Sequence, residues 1–287
     1  LRKIAILPTL LTLGNAVCGF SAIVVASWIG GESAHDIYYF YGAWLLVAAM
    51  VFDVLDGFVA RLSKTASDFG GQLDSLCDAI SFGAAPAFLI LRLSREWRQT
   101  SALMSNATVM IAVLFMVCVI LRLARFNVEN TPDPASHRRF KGLPSPAGAG
   151  CILSLAILRS HSADGWIGFP AGVVNEVVKY WAPLGGLVVS LLMVSRVSYP
   201  HLTKQVLRGR RHYSYLLRII FVVFVLALAR ELSLLIVFWG YALVFAVRHL
   251  IALAQRRQTG VEGEGKPSAP VNEPPPPPTT HHPPPTA

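Results

Sequence analysis

Four aspartates, Asp53, Asp56, Asp74 and Asp78, stand near the ends of two successive apolar stretches in a chain built largely of such stretches. A helix needs about 20 apolar residues to cross the hydrocarbon core of a bilayer. Runs of suitable character occur near residues 9–29, 38–60, 71–92, 106–126, 145–160, 180–198, 214–229 and 232–251. With 54% hydrophobic and only 14% charged residues among 287, the composition excludes an ordinary soluble domain. Backbone groups in lipid must be satisfied within the spanning segment, so these runs predict an all-α, polytopic transmembrane bundle. About eight spans are expected; 145–160 and 214–229 are short, which leaves six or seven as the alternative.

Charge assigns the two sides of the bundle. Alternating ends of the predicted spans gather Arg2, Lys3, Arg61, Lys64, Arg122, Arg125, Arg138, Arg139, Lys141 and most of the later basic residues on one side. The other side holds Arg92, Arg95, Arg98, Arg159, Lys179 and Arg230. By the positive-inside rule the richer side is cytoplasmic, as are both termini. Residues 1–8, 61–70, 127–144, 199–213 and everything from 255 should then lie in the cytoplasm, with 30–36 and 161–179 opposite. Topology and anionic lipid headgroups account for the formal charge of +9, so no nucleic-acid partner is expected.

The first apolar run carries Thr9, Thr12 and Asn15 and lacks a small-residue cleavage site, which predicts a retained helix rather than a signal peptide. Cys18, Cys77, Cys118 and Cys151 all fall in apolar runs without metal-site spacing and read as buried small residues. Residues 1–254 are expected to form one membrane-embedded domain. From 255 to 287 the composition becomes charged and then proline-rich, including the run at 274–278, and predicts a disordered cytoplasmic tail.

The acids carry the chemistry. Asp53 and Asp56 are three residues apart, Asp74 and Asp78 four, so each pair shares a helix face. Acids at membrane depth are costly and mark functional sites. Convergent carboxylates repel unless cations compensate them, and an all-oxygen donor set suits Mg²⁺ or Mn²⁺. Two such ions would neutralise a diphosphate and orient an oxygen nucleophile. Asp78, farthest along its helix, could instead serve as the base. Gly57 and Gly70 permit close ligand approach, Ala60 keeps a wall shallow, and Arg61 offers forked donors to phosphate oxygens.

Asp53, Asp56, Gly57, Ala60 and Arg61, followed by Gly70, Asp74 and Asp78, reproduce the pattern D-x2-D-G-x2-A-R-x8-G-x3-D-x3-D without departure. The chain thereby resembles the CDP-alcohol phosphatidyltransferase family. The resemblance implies a six-helix catalytic core, a homodimer, and a site with two divalent metals at which an alcohol displaces CMP from a CDP-linked lipid. It implies metal binding by Asp53, Asp56, Asp74 and Asp78, with Asp78 also the base, and nucleotide and phosphate contacts from Gly57, Ala60, Arg61 and Gly70.

The acceptor must be read from other segments. Arg122 and Arg125 share a helix face and can offer guanidinium groups to a carboxylate or phosphate, Asn127 both donates and accepts, and Pro144 and Pro146 stiffen the entry to a helix. The stretches Arg122 to Asn127 and Gly142 to Pro146 resemble the R-x2-R-F-N and G-L-P-x-P patterns of CDP-diacylglycerol–serine O-phosphatidyltransferases. Ser81 to Pro86 and Pro8 to Asn15 resemble that group as well. This implies CDP-diacylglycerol and L-serine as substrates, phosphatidylserine as product, and an acceptor site of Arg122, Arg125, Asn127, Gly142 and Pro144. The implied location is a bacterial inner membrane, among its lipids, with the active site facing the cytoplasm. Transfer to glycerol 3-phosphate or an inositol compound is the nearest alternative. A cation or small-anion transporter is a distant one, because the acids cluster on one side and no inverted repeat is evident. Ser75 and Cys77 adjoin the acids in sequence, but helical spacing turns them away from the shared acidic face.

Overall fold

The computed structural model describes residues 6–29, 37–63, 67–129, 142–161, 170–195, 197, 234–248 and 251. They are helical throughout apart from short turns, with no strand among them. In chain order the helices are α1 (Ile6–Ser27), α2 (Ile37–Leu62), α3 (Asp68–Asp78), a π-helical segment (Ala79–Ala84), α4 (Ala85–Leu93), the single turn α5 (Arg95–Arg98), α6 (Ala102–Glu129), α7 (Ser145–Ser160), α8 (Ala171–Val194) and α9 (Leu234–Arg248). Among the described residues five apolar rods are long enough to cross a bilayer: α1, α2, the continuous Asp68–Leu93, α6 and α8. The predicted span at 214–229 and the tail 255–287 lie outside the described residues. All these helices belong to the first of two compact units, Leu1–His249; the predicted tail falls in the second, Leu250–Ala287.

The packing explains why the apolar pattern is not that of a soluble bundle. On α1 the buried positions are Thr12, Asn15, Gly19, Ala22 and Ala26, a stripe of small and polar residues at helical spacing. Leu10, Leu13, Val17 and Phe20 face outward. Small residues let helix backbones approach where lipid supplies no hydrophobic drive, while large apolar side chains meet the acyl chains. Helix α2 follows the same rule with Gly42, Ala43, Leu46 and Ala49 inside.

Helix α7 has only 16 residues, about 24 Å at 1.5 Å per residue, and is buried without interruption from Gly148 to Leu158. It is the central post of the bundle. Helices α2 and α8 pack against it, and the Trp239 indole of α9 donates to the Cys151 carbonyl at 3.1 Å. A helix screened from lipid on all sides needs neither the length nor the outward apolar face of a boundary helix.

The entry to α7 depends on Gly142. Its φ of +100° is a left-handed conformation, and a β-carbon there would strike the Met193 carbonyl. The Gly142 and Leu143 N–H groups donate to the carbonyls of Val197 and Leu192 at 2.8 and 3.1 Å, tying the segment to the end of α8. Pro144 then caps α7, with Pro146 in its first turn.

The opposite ends of the helices are held by arginine. The Arg92 guanidinium donates to the Ala26 carbonyl at 2.8 Å and to those of Ser27 and Ile29, gathering carbonyls at and just beyond the last turn of α1. Arg159 pairs with Glu96 at 3.0 Å. Helix α8 begins at Ala171, nine residues before the apolar run from which it is predicted. Glu176 and Lys179 mask that start in the sequence; on the helix they form an i,i+3 pair at 2.6 Å.

Candidate active site

The predicted acids lie in two facing helix segments. Taking 1.5 Å per residue, Asp56 and Asp74 are each about 9 Å from the nearby end of their helix, while Asp53 and Asp78 are about 14–15 Å deep. Ser67 starts α3 by accepting the Gly70 N–H at 3.1 Å, and Asp68 adds an acid to the first turn. Carboxylate oxygens of Asp53, Asp56 and Asp74 lie within 4.8 Å of one another. Asp56 is buried, and Asp56 Oδ2 and Asp74 Oδ1 are buried without a hydrogen-bond partner. Buried carboxylate oxygens without donors are costly, and an oxygen-only set of this kind fits a hard divalent cation.

Asp78 sits differently. It is buried one turn deeper and accepts a hydrogen bond at 2.9 Å from the side-chain amide of Asn15 on α1. Asp53, Asp56 and Asp74 form the close trio, with Asp78 beyond them at the junction with the π segment. π turns inside α-helices recur at functional sites because the extra residue per turn re-aims the following side chains. Here the segment presents Ser81, whose hydroxyl donates to the Asn15 carbonyl at 2.9 Å.

Beside the trio opens a cavity of about 200 Å³, lined by Pro8, Thr9 and Thr12 of α1, Asp56, Gly57 and Ala60 of α2, and Ser67, Gly70, Gly71, Leu73 and Asp74 around α3. Gly57, Ala60 and Gly70, the small residues expected beside the nucleotide, all line it. Arg61 is exposed in the last turn of α2, and its guanidinium folds back to within 3.7 Å of where a Gly57 β-carbon would stand. The start of α3 also borders this space through Ser67, Gly70 and Gly71, and the positive end of a helix dipole suits phosphate oxygens. The glycines keep that wall low.

The residues read as acceptor-binding diverge. Arg122 points inward: its Nη1 donates to the Ser145 hydroxyl at 3.0 Å, its Nε is buried without a partner, and Asp78 and Tyr241 are its electrostatic neighbours. Arg125, in the same turn, is half-buried. Asn127 lies in the last turn of α6 and is engaged with the Ser75 hydroxyl, its Nδ2 at 2.9 Å and its Oδ1 at 3.2 Å. Ser75 also donates to the Gly71 carbonyl at 3.1 Å. That hydroxyl is therefore held away from the acids, and Cys77 is buried. Gly142 and Pro144 shape the segment that delivers Ser145 to Arg122. Asn15, Thr12, Ser145 and Tyr241 join the site without having been selected as candidates; a polar residue inside an apolar run was the available signal for Asn15 and Thr12.

The arrangement supplies carboxylates for cations, a shallow phosphate-sized wall beside them, a deeper carboxylate and an inward arginine. Comparison with known proteins agrees with this chemistry. A family model described as CDP-alcohol phosphatidyltransferase matches residues 5–192. The chain is 31% identical over 201 residues to a CDP-diacylglycerol–serine O-phosphatidyltransferase of Methanocaldococcus jannaschii, covering 70% of this chain and 76% of that protein. It is 31% identical over 248 residues to the Helicobacter pylori protein of the same name, covering 86% and 92%. An archaetidylserine synthase of Methanothermobacter thermautotrophicus is 33% identical over 196 residues, covering 68% and 69%. The acids, the glycine-lined cavity and the matched length together place this chain in the CDP-alcohol phosphatidyltransferase family, as an integral membrane enzyme.

Proposed function

We propose that the chain transfers the phosphatidyl group of CDP-diacylglycerol to L-serine, yielding phosphatidylserine and CMP. The observation that carries the reading is the trio Asp53, Asp56 and Asp74 beside a cavity walled by Gly57, Ala60 and Gly70, in a chain whose relatives of matching length are named for transfer to serine. Asp53, Asp56, Asp74 and Asp78 would hold Mg²⁺ or Mn²⁺, two per site. When bound, such ions neutralise diphosphate oxygens and charge that develops in phosphoryl transfer. Arg61 and the first turn of α3 orient the nucleotide diphosphate. Arg122, with Arg125, holds the serine carboxylate; Asn127, Gly142 and Pro144 shape that side. Asp78 accepts the proton of the serine hydroxyl as its oxygen bonds to the lipid-linked phosphorus, and the bond from that phosphorus to the CMP oxygen breaks. Exposed Leu7 and Leu10 on α1 and Phe69 and Leu76 on α3 leave an apolar surface for the acyl chains.

The same reading makes residues 1–254 the catalytic unit of a homodimer in a bacterial inner membrane, with the site open to the cytoplasm and 255–287 an extension. An assay offering labelled serine, glycerol 3-phosphate or inositol separately with CDP-diacylglycerol tests it. Serine alone should yield product, and in sealed vesicles only when the cytoplasmic face is outward. Transfer to another alcohol with no serine product would overturn the acceptor assignment.

Gly57 offers a separate test of the nucleotide wall. A β-carbon there meets only Arg61 Nη1 and Nη2, at 3.7 and 3.8 Å, which is ordinary contact. Gly57→Ala should therefore fold normally, with a gain of up to about 1 kcal/mol from helix propensity. The KM for CDP-diacylglycerol should nonetheless rise about tenfold, because the methyl group occupies the ligand's side of the wall. An unchanged KM in the folded variant would remove Gly57 from the nucleotide site.

A further inference from the structure

Resting on the phosphatidyltransferase reading, we infer that Asn15 is a positioning residue that fixes the orientation of the Asp78 carboxylate. Asn15 is fully buried near the middle of α1, and its Nδ2 donates to Asp78 Oδ1 at 2.9 Å across 63 residues of sequence. Its own Oδ1 is buried with no hydrogen-bond partner. An apolar side chain would avoid that orphaned acceptor, so packing stability does not explain an amide here.

Docking of α1 does not explain it either. The backbone carbonyl of Asn15, not its side chain, accepts the Ser81 hydroxyl at 2.9 Å, and Gly19 lets α1 approach the Ser81 backbone. Those contacts survive replacement of the Asn15 side chain. The amide acts on Asp78 alone among the hydrogen bonds found. Asp78 ends α3 where the helix passes into the π segment, and an aspartate carboxylate has two side-chain torsions that its surroundings must fix. The amide holds one oxygen toward α1, leaving the second for the reacting alcohol. A displacement near 1 Å at such a group can cost about a hundredfold in rate.

Asn15→Ala and Asn15→Leu test this beside Ser81→Ala, all as purified full-length protein in lipid with CDP-diacylglycerol and whichever acceptor the wild type uses. If the wild type fails to use serine, the serine assignment falls, while the variant-to-wild-type ratio still reports on Asn15. Positioning predicts that kcat falls about 10- to 100-fold in the folded Asn15 variants while both KM values stay within about threefold. Mn²⁺ affinity, read by electron paramagnetic resonance, should fall by no more than about threefold, since Asp53, Asp56 and Asp74 supply three of the four carboxylates assigned to the ions and Asp78 keeps its charge in both variants. Ser81→Ala should lower the melting temperature and leave kcat within about twofold. The inference is overturned if either folded Asn15 variant retains kcat within about twofold of wild type, if Mn²⁺ affinity falls in parallel with kcat, or if Ser81→Ala loses kcat equally.

Discussion

Asp74→Asn is expected to lower turnover about a thousandfold or more while leaving the bundle folded. Asn matches Asp in size, so packing around α3 is preserved; what disappears is one of the three charges whose oxygens lie within 4.8 Å of one another. Removing a charge from a divalent site weakens both ion binding and the stabilisation the ion gives to a breaking phosphorus–oxygen bond, worth several kcal/mol. At about 1.36 kcal/mol per decade that is about three decades in rate. Stability should move the other way. Without bound metal the trio is a set of like charges crowded within the membrane, and Asp74 Oδ1 is buried without a donor, so neutralising one member relieves repulsion. The variant should melt at or above the wild-type temperature in chelator and gain less than wild type on adding Mn²⁺. Labelled-product formation and thermal unfolding with and without Mn²⁺ check both signs. Turnover within tenfold of wild type would remove Asp74 from the metal site, as would full wild-type activity after verified metal removal.

The parts of this site legible in the sequence are those that depend on spacing along a single helix. Asp53 with Asp56, and Asp74 with Asp78, share faces because 3.6 residues complete a turn, and the ends of the apolar runs set their depth. Gly57, Ala60 and Gly70 were legible from their small size and from the motif that carries the family resemblance, and all three line the cavity. Contacts between distant segments were not legible. Nothing in the run from Thr9 to Gly19 states that Asn15 will meet Asp78, because that requires α1 to dock on the π segment, and the π turn has no periodic signature of its own. Asn127 shows the same limit: its residue type marks it as a hydrogen-bonding group, but its contact with Ser75 depends on how α6 packs against α3. Boundaries failed where charge and helix coexist, as at Glu176 and Lys179 in the first half of α8. The central place of α7 was hidden because its small residues, Gly148 to Cys151, give a weak span signal for the reason that lets other helices pack closely around them.

Arg122→Lys should cost more in serine use than its conserved charge suggests. Helix α6 brings Arg122 to the interior, where Nη1 meets Ser145 at 3.0 Å, Nε remains buried and unpartnered, and Asp78 is an electrostatic neighbour. A guanidinium can keep the Ser145 bond through one nitrogen and present the others, in a fixed plane, to a carboxylate. Lysine has one nitrogen for both tasks. A hydrogen bond to a charged group contributes about 1.5–3 kcal/mol, so losing one from the acceptor should lower kcat/KM for serine about 10- to 100-fold. Most of that loss should appear as a raised serine KM, with the KM for CDP-diacylglycerol within about threefold, because the nucleotide wall lies on α2 and α3. Ser145→Ala separates holding from binding: it frees Arg122 to move but leaves every guanidinium donor present, so the serine KM should rise only about threefold. Equal losses for both substrates in Arg122→Lys would point to a disturbed bundle. An unchanged serine KM would exclude Arg122 from the acceptor site and move the assignment to Arg125, three residues nearer the end of the helix.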